Sequence, residues 1–175
     1  MPGGLRGDNC IIFDPFCLEG GIDQMRQGLA IHEATGVRVF RPHFLTLLAE
    51  ALGTNSQAKE GLSLLDEALE TVHRNREESH LAEIYRVKGE LLLKTFTIAG
   101  AEECFDRSLK IAQQQQAKSL ELRAAMSIAR LCKQQNRRED AQALLTPIYN
   151  GFTEGFDTKN LREAKALINE LSLVS

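Results

Sequence analysis

The stretch YRVKGELLLKTFTIAGAEECFDRS, residues 85–108, decides the fold. Tyr85, Gly89 and Leu92 fall on one apolar stripe, and Ala101, Phe105 and Ser108 on a second. Spacings of three and four residues are those of amphipathic helices, so the stretch predicts two helices joined by a short break. The small residues mark where the helices must approach closely, and the large ones fill the hole beside them.

The same order of small and large residues recurs at one fixed interval on either side. Ala49, Gly89 and Ala129 are the small residues of three first helices, and Gly61, Ala101 and Ala141 those of three second helices. Leu65, Phe105 and Leu145 follow as the large residues, then Ala68, Ser108 and Ile148, the last being the one departure. The first-helix stripes read Leu45, Leu48, Ala49 and Leu52 in one unit and Ala125, Ile128, Ala129 and Cys132 in another. Pro42 suits the first position of its helix. A further step back reaches Gly21, Met25 and Gly28 in GGIDQMRQGLA. Ahead of that, PGGLRGDNCIIFDPF carries three Gly and two Pro, which oppose a helix. Residues 1–17 are therefore expected to be irregular, and residues 18–156 to hold half a repeat followed by three helix pairs. A lone helix pair cannot bury both faces, so the units stack. Beyond Pro147, NGFTEGFD (150–157) reads as a turn-rich connector. Residues 157–175, with Leu161, Ala164, Leu167, Ile168 and Leu171 on one face, read as a capping helix. Its outer side carries Arg162, Glu163, Asn169 and Glu170, and Asn160 with Glu163 has the spacing of a capping box.

Tyr85, Gly89, Leu92, Ala101, Phe105 and Ser108 stand where the tetratricopeptide repeat has its signature residues, and the region 18–150 resembles that family. The unit departs from it in its 40-residue period, longer than the family's usual length of about 34. It also lacks the Pro that closes the second helix. Segments such as EGLSLLDEALE and KSLELRAAMSIARL further resemble the C-terminal repeat region of bacterial proteins that join a nucleotide cyclase or other sensor to a P-loop ATPase. The resemblance implies an all-α, right-handed α-solenoid of antiparallel helix pairs, TPR-like, acting as a protein–protein interaction scaffold in a signalling or regulatory assembly. No G-x-x-x-x-G-K-[ST] is present, so P-loop nucleotide chemistry is not expected of this chain.

Composition agrees with a soluble helical protein. Apolar residues make up 43% of the chain, enough for a core, and aromatic residues only 6% with no Trp. The net charge of −3 leans away from nucleic acid. The four cysteines at 10, 17, 104 and 132 form no Cys-x-x-Cys pair, and reduced thiols in a cytoplasm are expected. No signal peptide is expected at the N-terminus, nor any run long enough to span a membrane.

The residues that could carry chemistry resolve into ordinary helical surface and core. His32, His43, His73 and His80 never recur at a spacing of four and have no metal-ligand context, so they read as surface or half-buried histidines. Cys104 and Cys132 lie on or beside the apolar stripes and read as small buried hydrophobes. Glu77, Glu78, Glu102 and Glu103 read as exposed helix-end charges, Gln113–Gln116 as a helix end, and Arg6-Gly7-Asp8 as a chance tripeptide. No enzyme and no cofactor or metal is expected.

The surface is more informative. In a stack of this type the first helices line a concave side. Its positions off the apolar stripes are His43, Thr46 and Glu50, then Glu83, Arg86 and Glu90, then Arg123, Met126, Arg130 and Lys133. These are expected to form a groove for a peptide or partner protein. Glu50 and Glu90 stand where the family's carboxylate clamp has Asn, so capture of a C-terminal carboxylate is not expected. The alternative is a nucleic-acid or small-effector module using the basic third unit. At the N-terminal end, Ile22, Met25 and Leu29 lack a partner helix. Either the segment around Ile11, Ile12, Phe13 and Phe16 folds back over them, or two chains meet there; a homodimer is the expectation.

Overall fold

The computed structural model describes residues 15–36, 40–76 and 78–173, with side chains of the first helix described from residue 19. Residues 1–14, and with them the fold-back segment at Ile11–Phe13, lie outside the described residues. Among those described there are eight α-helices and no strand: α1 (Pro15–Ala34), α2 (Arg41–Thr54), α3 (Ala58–Asn75), α4 (Leu81–Lys94), α5 (Ile98–Gln114), α6 (Lys118–Gln134), α7 (Arg138–Asn150) and α8 (Lys159–Ser172), with a short 3-10 turn at Glu78–His80.

Two boundaries differ from expectation. Helix α1 starts at Pro15, inside the segment expected to be irregular, because proline is tolerated where a helix has no amide partner to lose. The capping box at Asn160 and Glu163 does not form. Asn160 lies within the first turn of α8, and Thr158 is the N-cap with extended backbone. Its hydroxyl donates to the Gly155 carbonyl and caps no helix amide.

The helices end where their carbonyls are captured. Ser56, Phe96 and Asn136, each following the last residue of a helix by two, take left-handed backbone angles, as do Arg76 and Gln116 in the intervening turns. At four of these sites the next amide reaches back five positions: Gln57 to Leu52, Thr97 to Leu92, Ala117 to Ala112 and Arg137 to Cys132, at 2.8–2.9 Å. This is the Schellman arrangement, which satisfies otherwise orphaned carbonyls and stops the helix. The Gln113–Gln116 run thus holds a helix end, with α5 finishing at Gln114.

Neighbouring helices pack as pairs, α2 with α3, α4 with α5 and α6 with α7. The pairs also join directly, α2 to α4, α4 to α6 and α6 to α8, while no comparable row of contacts links α3, α5 and α7. Ala49, Ala101, Ala129 and Ala141 are fully buried, as are Leu65, Phe105 and Leu145. A Cβ on Gly89 would sit 2.5 Å from the Phe105 ring, and one on Gly61 2.9 Å from the Ala49 carbonyl. Backbones approach here more closely than any larger residue allows. Replacing Ala101 by Leu should overpack the α4–α5 pair and cost about 1–3 kcal/mol in chemical denaturation. An unchanged midpoint would mean that Ala101 is not at the contact.

Candidate functional site

The side chains expected in the groove arise from α2, α4 and α6, which stand side by side, with α8 completing the row. Their placement is uneven. Thr46 is buried and its hydroxyl donates to Pro42 of its own helix, while Met126 is buried in the core shared by α6, α7 and α8. His43 is half-buried, its ring stacked on His80 with centroids 4.9 Å apart. The remaining seven are charged: Arg130 and Lys133 pair with α8, while Glu50, Glu83, Arg86, Glu90 and Arg123 are brought together.

Arg86 is their centre. It is 8% exposed and donates to Glu83 on its own helix and to Glu50 of α2, each at 2.7 Å, with Glu90 at 3.7 Å. Burial alone would lower the guanidinium's pKa. Hydrogen bonds and charges from Glu83 and Glu50 more than reverse this and hold it above its ordinary value. Arg123 of α6 reaches Glu83 at 2.8 Å and Glu50 at 3.8 Å. Further along, the Ser127 hydroxyl donates to Glu90 at 2.6 Å. Arg130 pairs with Glu163 at 3.2 Å and Lys133 with Glu170 at 2.5 Å, both partners on α8. The Lys133 ammonium holds the Glu170 carboxyl below its ordinary value. The face is a chain of ion pairs crossing every helix boundary from α2 to α8. It ends in a cleft of about 520 Å³ lined by Arg130, Lys133, Arg138 and the carboxylates of α8.

Sequence reasoning missed Ser127, Glu163, Glu170 and His80. A signal for three of these contacts was present. Glu50 with Arg86, Glu90 with Ser127 and Lys133 with Glu170 are 36 or 37 residues apart, one repeat less one helical turn.

Other chemistry is not assembled. Among the described residues no group of three or more His, Cys, Asp or Glu could hold a metal ion. Cys104 and Cys132 are free and buried, and burial pushes both thiols up, away from the reactive thiolate. Among the described residues no helix is long and apolar enough to cross a membrane. No family model, curated protein or solved structure matches the chain.

Proposed function

We propose that the chain is a right-handed α-solenoid of the tetratricopeptide type whose concave face holds an extended or helical segment of a partner protein, within a bacterial signalling or regulatory assembly. The observation that carries this reading is the row α2, α4, α6, α8. These helices contact one another directly while the helices outside them make no comparable contacts, and a layer packed more closely than its backing curves toward itself. The left-handed turns at equivalent places in successive repeats support the same architecture.

The open part of the face is His43, Glu50, Glu90, Arg123, Arg130 and Lys133, with Arg86 and Glu83 beneath. Acidic groups lead on α2 and α4, and basic groups on α6. A bound segment would present a basic residue toward Glu50 and an acidic one toward Arg130 and Lys133. The carboxylates interleaved with these bases count against the nucleic-acid alternative, since Glu50, Glu83, Glu163 and Glu170 on the same face would repel a continuous phosphate backbone.

Peptides selected from a random dodecapeptide display library should share that basic-to-acidic order. Their binding should fall about tenfold or more on changing Glu50, Arg130 and Lys133 together to Gln, with the helical signal of the chain retained. Neutral substitutions suit the test, because reversing the bases to Glu would set new carboxylates against Glu83, Glu163 and Glu170. Binding indifferent to the triple change, or no enrichment at all, would remove the face from consideration.

A further inference from the structure

The cleft between α6, the start of α7 and α8 holds one cation more than it has carboxylates. Arg130, Lys133 and Arg138 line it against Glu163 and Glu170, around a space of about 520 Å³. Two of the bases are matched, Arg130 by Glu163 at 3.2 Å and Lys133 by Glu170 at 2.5 Å. Arg138 is not. It is half-buried, and its side chain donates only to the backbone carbonyl of Glu170, at 3.4 Å. Among the described residues no carboxylate pairs with it. The other two half-buried arginines among them, Arg41 and Arg123, each meet two carboxylates. Arg137, next in the chain and more exposed, has Asp140 at 2.9 Å. A guanidinium sheltered in a cleft, with most of its donor fork unused, leaves a place for one oxyanion.

We infer that Arg138 anchors a side-chain carboxylate of the bound segment, a glutamate or aspartate that enters the cleft beside Arg130 and Lys133. The inference rests on reading the concave face as a groove for a partner segment. It adds a specificity-determining residue from outside the row helices, on α7. The surplus in the cleft is a single positive charge, which one carboxylate neutralises. A phosphoryl group, carrying nearly twice that charge, would be set against Glu163 and Glu170 at close range. The fork of Arg138 can donate to both carboxylate oxygens, which a lysine in its place could not do. Ala166 and Leu167 of α8 line the same cleft and offer apolar surface to the methylenes of the acid.

The probe is the N-acetylated, amidated tripeptide Ala-Glu-Ala, compared with Ala-Gln-Ala at constant ionic strength and followed by NMR of arginine side chains and backbone amides in the full chain. The Arg138 Nε–H signal should move saturably with the Glu tripeptide and not with the Gln one, while that of exposed Arg162 stays fixed. Arg138→Gln should abolish the accompanying shifts at the Ala166 and Leu167 amides, and Arg138→Lys should weaken them. Melting should stay close to the parent's, since the side chain makes a single long hydrogen bond. Among dodecapeptides selected on the face, Arg138→Gln should cost about tenfold in affinity. A peptide whose acidic residue is changed to its amide should be indifferent to that substitution. Tripeptides that act alike, or selected peptides unmoved by Arg138→Gln, would overturn the inference and leave the groove reading standing. A response centred on Arg138 with no dodecapeptide enriched would support the carboxylate site and remove the groove.

Discussion

Phe105→Ala should cost about 3–5 kcal/mol, a large share of the roughly 5–15 kcal/mol that stabilises a domain of this size. Phe105 is fully buried, in a cluster with Ala101 and Leu131 that Leu92, Leu93 and Ile128 close from the side. Its ring fills the space left open by Gly89, so removing it leaves a cavity between α4 and α5 that neither backbone can close. A melting temperature lower by roughly 10 °C is the expected reading in a thermal scan. The pairing gives a sharper check. In the parent chain Gly89→Ala sets a Cβ against the ring, and overpacking should outweigh the helix propensity gained. In the Phe105→Ala background the same change fills space and should stabilise by up to about 1 kcal/mol. A Gly89→Ala effect of the same sign in both backgrounds would show that the two residues are not coupled.

That coupling was legible in the sequence, because it is local: Gly89 and Phe105 lie on two successive helices, and periodicity fixes which faces meet. The same holds for Gly61 beside Ala49. What periodicity does not reveal is depth within a face. Thr46, Arg86 and Met126 share the helical positions of exposed neighbours, yet all three are buried, because the next helix in the row lies over them. Thr46 can sink because its hydroxyl turns back onto Pro42, and Arg86 because three carboxylates surround it. Asn160 misled for a different reason. Serine-like capping residues compete for a helix start, and the left-handed Gly155 turn set the start at Thr158 instead. Pairs such as Lys133 with Glu170 lay hidden in the repeat itself, at a separation that no single-helix rule examines.

Arg86→Ala should destabilise the chain by about 3 kcal/mol, the low end for removing one partner of a buried ion pair. The low end applies because Glu50 is 46% exposed and keeps much of its hydration, whereas Glu83 at 15% does not. The pH dependence separates charge from packing. Arg86 has a folded-state pKa raised above its ordinary value, so its contribution is fully present below about pH 12 and is lost only as pH rises past that range. The parent chain should therefore show no loss from this group between pH 5 and 9. In the variant Glu50 and Glu83 keep only Arg123 as a cation, at 3.8 and 2.8 Å, and Glu90 loses its ion-pair partner, so the three carboxylates repel one another more strongly. Protonation relieves that repulsion, so the deficit should be smaller near pH 4.5 than at pH 8. Arg86→Met restores the stem's packing without the charge and should show the same pH trend with a smaller loss. A deficit independent of pH in both variants would mean that Arg86 acts as a spacer between α2 and α4 and not as the cation joining their carboxylates.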